Sequence, residues 1–520
     1  MIKEFIKKNW KYAILYIIFA ITLLFTVSKK VNFHIDELLS YNLSNADEWF
    51  NPTDGVKYEP AGEIYSEYHT SNGTFDLSHV WLQQTNDVHP PFYYMILHGI
   101  CCLTPNVFTM RSAFLVNFIF QILMFYVFRK LLKLIIDNDI VVSIISVTYI
   151  FNYAVLTMNT FFRMYIMASF FVTLFSYLIL RNMDSFDIKK YIALYLTSVC
   201  GALTHYYFVV FIFFVSLMIG IYMIIGKRLK EIVGFIVTMS LAGISSYLIF
   251  PAIIDHVFSS GRGTEAIENL KTSNFSENLK NYYSITNKEL FGGILSVLIF
   301  LIVFTLIVLF LNKEKDIVGF SKKNLWQYST IILPCICFYM FIAKTAPYQE
   351  DRYISPIFTV LFALIAGLVY FSLIHFIKST RAVNTLIIIC SLLIVVLGLY
   401  KADWKYLYLD NADSLEFADA VGSEFDVICT YQYKNGLGPT LLEASKCRSI
   451  TYYETTDYDE FVSLHGNEQY GDNVVFMLTN QTEEMQLSFI NKFLGDNPDY
   501  VLVRDNGELW YTHSYYFSKN

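Results

Sequence analysis

A few short stretches of this chain carry the side chains that proton transfer and anion binding need. HIDELLSYNL sets Asp36 beside Glu37, and NDVHPPFYY sets Asp87 two residues from His89. A carboxylate kept ionised and desolvated next to a hydroxyl is what general-base chemistry asks for, and Asp36 or Glu37 is the candidate. Cations come from FFRMY (Arg163, with Tyr165 after it), SGRGTEA (Arg262, with Glu265) and KTAPYQEDRY (Lys344, Arg352 and Tyr353), and LTHYYF adds His205. Such a set could neutralise a phosphate leaving group, arginine through its planar fork. His89 and His205 are also candidate metal ligands, so a divalent metal is one option. Two histidines without a fixed spacing are more often structural hydrogen-bonding groups, and no cofactor is required by the pattern.

Taken singly, each of these residues has an ordinary explanation. Arginines and tyrosines at helix ends usually snorkel or join aromatic belts, and an Asp-Glu pair usually starts a helix. The set argues for more than its members, because the elements that must position it put every member on one side of a membrane.

Composition establishes the membrane. The 520 residues are 55% hydrophobic, 18% aromatic and only 16% charged, outside the range of an ordinary soluble protein. Apolar runs long enough to cross the roughly 30 Å hydrocarbon layer lie near 12–28, 110–128, 140–158, 163–180, 191–205, 207–226, 232–254, 290–311, 325–343, 353–376 and 383–400, eleven in all. The first follows a basic start (Lys3, Lys7, Lys8, Lys11), and with SKKVNFHID after it in place of a small-residue cleavage site it reads as a retained anchor.

Orientation follows from charge. With the N-terminus inside, Arg129/Lys130/Lys133, Arg181/Lys189/Lys190, Lys227/Arg228/Lys230, Lys313/Lys315/Lys322/Lys323 and Lys378/Arg381 all fall in cytoplasmic loops, as the positive-inside rule asks. Segments 29–90 and 401–520, which this map places outside, hold 30 of the 45 acidic residues and 11 of the 38 basic ones. That balance excludes a nucleic-acid partner. The apolar stretch from Pro91 to Leu103 must then stay on one side; about 12 helical residues reach only about 18 Å. It reads as an amphipathic helix in the outer interface, started by Pro90 and Pro91, with Tyr93, Tyr94 and His98 at headgroup depth.

The expected fold is therefore a polytopic α-helical membrane protein with about eleven transmembrane helices, outer juxtamembrane helices and a small C-terminal extracytoplasmic α/β domain. Residues 1–400 form the membrane domain, with outer loops at about 29–109 and 255–288, and 401–520 form the exported domain. In the latter DVICTY, SITYYET, NVVFMLTN and YVLVRD read as strands, and LEFADAVG and EEMQLSFINKFLG as helices. Of the eight cysteines, Cys429 and Cys447 share this region; a disulfide and two structural thiols both remain open. A composition heavy in Lys, Asn, Ile, Tyr and Phe points to an AT-rich bacterial source.

Together the DE after the first span, DVHPPFYY, MRSAFLVNFIF, FRMY, THYYF and DRYISP resemble the GT-C membrane glycosyltransferases, in particular bacterial relatives of the protein O-mannosyltransferases and aminoarabinose transferases. The resemblance covers roughly residues 10 to 400. It implies transfer of a sugar, hexosyl or pentosyl, from a polyprenyl-phosphate donor to an acceptor in the cell envelope outside the cytoplasm, usually with inversion. It implies Asp36 as the catalytic base, with Glu37, Asp87 and His89 shaping the acceptor side, and Arg163, Tyr165, His205, Arg262, Lys344, Arg352 and Tyr353 around the carrier phosphate. Two departures stand out: relatives often carry an acidic residue two places before the arginine of FRMY, where this chain has Phe161, and the C-terminal domain shows no assignable motif.

Two rival functions make different demands. A transporter or flippase of lipid-linked glycans calls for polar residues through the membrane midplane and paired broken helices, whereas these spans are nearly free of charge at their centres. An assembly or sensor protein anchored by its spans needs far fewer than eleven.

Overall fold

A computed structural model describes residues 2–46, 50–59, 64–70, 74–312, 322–433, 437–438, 441–466 and 469–520. Lys313 and Lys315 of the basic clusters lie outside the described residues. The chain divides into two compact units: Met1–Ser28, Trp81–Ile96 and Ala113–Asp403 form the first, and Lys29–Val80, Leu97–Ser112 and Trp404–Asn520 the second. The division departs from the expected boundary at 400/401, because most of the first outer loop folds with the C-terminal domain.

The first unit is the membrane part, and the chain is a multi-pass membrane protein. Among the described residues seven helices are long and apolar enough to cross a bilayer: Met110–Ile135, Tyr165–Asn182, Tyr206–Ile225, Leu229–Ile249, Trp326–Thr345, Asp351–Phe376 and Thr380–Tyr400. Two bent pairs, Asp139–Ile150 with Tyr153–Asn159 and Phe275–Leu290 with Leu295–Leu311, raise the number to nine if each is one span. Every one of the eleven apolar runs is helical. The first lies in the 26-residue helix Ile2–Val27, and Ile188–Ala202 has 15 residues, which rise only about 22 Å.

Each bend has a cause in the sequence. At the 46° bend, Asn152 caps the second helix by accepting from the Ala154 N–H (3.0 Å) and donates to the Leu290 carbonyl at 2.8 Å. At the 99° bend, Gly292 and Gly293 adopt left-handed backbone (φ 61° and 93°), and a Cβ on Gly292 would stand 2.6 Å from the Ile394 carbonyl. Glycine is therefore required there by both conformation and space.

The second unit is built on a six-stranded mixed sheet of order β1-β3-β2-β4-β6-β5. The strands are β1 Lys57–Tyr58, β2 Asp426–Tyr431, β3 Ser449–Tyr453, β4 Asn473–Thr479, β5 Tyr500–Leu509 and β6 Thr512–Lys519. The centre, β3-β2-β4, is parallel, β6 runs antiparallel to β4, and β5 and β6 form a hairpin. All four expected strands and both expected helices are present, the latter as Ala412–Val421 and Glu483–Asp496. The first loop joins the sheet through β1, whose Lys57 and Tyr58 pair with Thr451 and Ile450 of β3. One face of the sheet is closed by Phe461, Phe489, Ile490 and Phe493 packing on Phe476 and Phe517. Cys429 and Cys447 are free and buried.

The helix Phe92–Cys101 has ten residues, about 15 Å, half of what a crossing needs. Its polar groups differ from expectation. Tyr93 and Tyr94 are fully buried, and His98 is buried with its ring nitrogens on Asn45 Oδ1 (3.3 Å) and the Thr74 carbonyl (3.2 Å). Close packing by the protein, not a headgroup layer, receives them.

Candidate functional site

In the first unit, three of the helices that begin at the motif residues bring their N-terminal ends together. Asn117, from MRSAFLVNFIF, is buried and donates to the carbonyls of Phe161 (2.8 Å) and Asn159 (3.3 Å), which fixes the turn that delivers Arg163 to the start of Tyr165–Asn182. His205 caps Tyr206–Ile225 by accepting the Tyr207 N–H at 3.1 Å. Arg352 and Tyr353 lie in the first turn of Asp351–Phe376.

Ring contacts join these ends. Tyr165 lies 5.3 Å from His205, His205 4.7 Å from Tyr207, and Tyr207 6.0 Å from Tyr353, centroid to centroid. The Arg352 guanidinium sits over Phe161 (5.8 Å) and Tyr353 (5.3 Å), while Phe161 stacks on Tyr165 at 5.8 Å. Phe161 is thus an aromatic bed for a cation.

Asp87 and His89 join the same cluster. The Phe92 N–H donates to the Leu203 carbonyl (3.0 Å), tying the proline-led helix to the LTHYYF turn, and the His89 ring lies 6.3 Å from that of His205. His89 Nδ1 and Asp87 Oδ2 are 2.8 Å apart, with side chains 23% and 22% exposed. Burial pushes the Asp87 carboxyl up, but the His89 ring, the Val88 N–H and Arg163 together outweigh it and hold the group down at about 2. Arg163 itself is 4% exposed. Arg163 is buried, Arg352 is half-buried, and the helix N-termini beside them favour an anion.

His256 was not singled out by the sequence, since IIDHVF gives no signal. It is buried, with Nδ1 2.7 Å from the Tyr206 hydroxyl and Nε2 3.3 Å from the Thr85 carbonyl. Burial holds its pKa below the usual imidazole value. Arg262 and Lys344 make other contacts: Arg262 pairs with Glu265 at 2.8 Å, half exposed, and Lys344 donates to the Ser273 carbonyl at 3.2 Å.

Asp36 and Glu37 belong to the second unit. His34 caps their helix, Ile35–Asn45, by accepting the Asp36 N–H at 2.9 Å, and Glu37 returns the bond by accepting the His34 N–H at 2.7 Å. Glu37 also forms an ion pair with Lys30 (3.1 Å) in which both side chains are fully buried. Lys30 donates to the Tyr406 carbonyl at 2.6 Å and lies 5.2 Å from the Tyr408 ring. Burial lowers the Lys30 pKa, opposed by Glu37. Asp36 is different: its side chain is 26% exposed, with Oδ2 3.8 Å from His34 Nδ1. Lys30 had a sequence signal, a lysine stranded just beyond the first span on the side where the positive-inside rule expects few.

Among the described residues no group of three or more His, Cys, Asp and Glu side chains could hold a metal ion.

No family model matches the sequence, and no curated protein does. Solved structures resemble the chain, the following two among them. ArnT from Cupriavidus metallidurans, bound to undecaprenyl phosphate, shares 11% identity at a TM-score of 0.49 over 97% of this chain and 98% of that one. The Archaeoglobus fulgidus oligosaccharyltransferase, tethered to an acceptor peptide containing the NVT sequon, shares 10% identity at a TM-score of 0.41 over 91% of this chain and 69% of that one.

Proposed function

We propose that the protein is a glycosyltransferase that moves a hexosyl or pentosyl group from a polyprenyl-phosphate donor to an extracytoplasmic envelope acceptor. The observation that carries this reading is the convergence of three helix N-termini on Arg163 and Arg352 at one end of membrane-crossing helices. A polyprenyl tail keeps its phosphate at headgroup depth, so an anion site at the ends of spans is where such a donor meets the protein. The motif resemblance to GT-C enzymes supports the same class.

In the reaction the acceptor oxygen forms a bond to the anomeric carbon as the bond from that carbon to the phosphate oxygen breaks. The electron pair leaves with the polyprenyl phosphate, a stable anion that needs electrostatic holding more than protonation. Arg163 and Arg352 hold it, with Tyr165, His205 and Tyr353 shaping the pocket and Asp87–His89 at its edge. Asp36 takes the acceptor hydroxyl proton, and Glu37, committed to Lys30 and the helix cap, positions it. The N-terminus is cytoplasmic and the C-terminal domain extracytoplasmic.

The test is turnover by purified protein on a panel of radiolabelled polyprenyl-phosphate sugars with a crude envelope acceptor. Consumption of one donor, lost in Asp36→Asn, establishes the class and names the sugar. Binding of the panel with no turnover by any preparation would favour a transporter.

A further inference from the structure

The second unit holds an aromatic group around Asp36 that the reading above does not use. Trp510 occupies the two-residue turn between β5 and β6, and its indole N–H donates to the Phe33 carbonyl at 3.1 Å. Its ring stands edge-on to His34, 4.6 Å between centroids, and 5.5 Å from Tyr408. Tyr408 and Tyr406 reach the same imidazole, at 6.5 and 6.2 Å. His34 accepts the Asp36 backbone N–H, and its Nδ1 lies 3.8 Å from the Asp36 carboxylate oxygen Oδ2, which places these rings beside that carboxylate.

Two features set the group apart from ordinary packing. Trp510 and Tyr408 are only half-buried, as is Asp36, in a unit whose sheet core is closed by fully buried rings. Both also hold left-handed backbone, φ 61° and 56°, a conformation that is unfavourable for a bulky L-residue. A turn with no need for a large ring would place glycine or asparagine there.

We propose that Trp510 and Tyr408 form a stacking shelf for a pyranose ring of the acceptor, presenting one of its hydroxyls to Asp36. The proposal rests on the glycosyl-transfer reading and deepens it by making the acceptor a saccharide. A pyranose has one apolar C–H face and a rim of hydroxyls. A half-exposed indole and phenol supply area for the first at little entropic cost, and a carboxylate beside them meets the second. The C-terminal domain thereby contributes directly to acceptor choice.

The experiment is saturation-transfer NMR on the full chain in nanodiscs, with methyl β-glucopyranoside, methyl α-mannopyranoside, methyl β-xylopyranoside and a Ser/Thr-containing peptide as probes. At least one glycoside is expected to take up saturation on its ring C–H protons. The signal falls about five-fold in Trp510→Ala and Tyr408→Ala, and persists in Trp510→Phe, which keeps a ring but loses the indole N–H. Thermal midpoints identify any variant that fails to fold, and Trp510→Phe against Tyr408→Ala then carries the comparison. No glycoside signal in the wild type, an unchanged signal in folded Trp510→Ala, or saturation of the peptide alone would overturn the shelf. Glycoside signals from a protein that never consumes a polyprenyl-phosphate sugar would overturn the transfer reading and leave the shelf standing.

Discussion

The two units surround their charged groups differently. In the second, Lys30 is engaged by the Glu37 carboxylate, a carbonyl and a ring face, with both charged side chains fully buried. In the first, the Arg352 guanidinium rests on aromatic faces and Arg163 lies within reach of the Asp87 charge, at the start of helices whose dipoles add to the same positive field. A buried ion pair builds structure, and a cation over ring faces at helix ends suits an anion. On the proposed function, the comparison separates residues that hold Asp36 in place from residues that meet a substrate.

The largest expected effect belongs to the half-exposed carboxylate. Asp36→Asn lowers kcat for transfer by about 10²–10⁴ with the fold intact; a fully active variant would remove Asp36 from the chemistry. Next comes the buried pair. Lys30→Met strands the Glu37 charge and costs about 3–5 kcal/mol of stability, recovered largely by adding Glu37→Gln. Thermal unfolding in nanodiscs measures both, and a Lys30→Met protein as stable as wild type would make the pair dispensable.

A smaller effect sharpens the receptor side. Because the folded protein holds the Asp87 carboxyl down at about 2, below its ordinary value, its ionised form is the stabilising one. That contribution is complete above about pH 4 and is lost as pH falls through 2. Asp87→Asn should therefore be less stable than wild type by a constant amount at neutral pH, with the gap closing between about pH 4 and 2 on acid titration. The smallest effect is at Arg262, half exposed and paired with Glu265. Arg262→Ala should change the donor KM by less than about three-fold, since exposed pairs contribute little.

Much of the cluster at the helix ends was legible from residue types alone, because FRMY, THYYF, DVHPP and DRYISP each sit at a helix start, and helix starts announce themselves through caps and prolines. Phe161 as a bed for Arg352, Asn117 as the clamp on its turn, and His256 beneath Tyr206 were not legible, since each depends on partners at least 42 residues away, as in Asn117–Asn159. The strands of the C-terminal domain stood out by their apolar runs, but the two-residue β1 did not. A strand that short has no periodicity of its own, and its pairing with β3 is what moves the first loop into the second unit. Tyr93, Tyr94 and His98 were misplaced for a related reason. A short apolar helix with polar tips looks the same whether lipid or protein covers it.

The most direct test of the anion receptor is binding of radiolabelled undecaprenyl phosphate to the purified full chain, wild type against Arg163→Ala/Arg352→Ala. Stoichiometric binding by the wild type and a Kd raised about 30-fold or more in the double variant is the predicted result, as expected for losing charge-assisted bonds to a phosphate. Equal affinity in two folded proteins would contradict the assignment of the converging helix ends as the carrier-phosphate site.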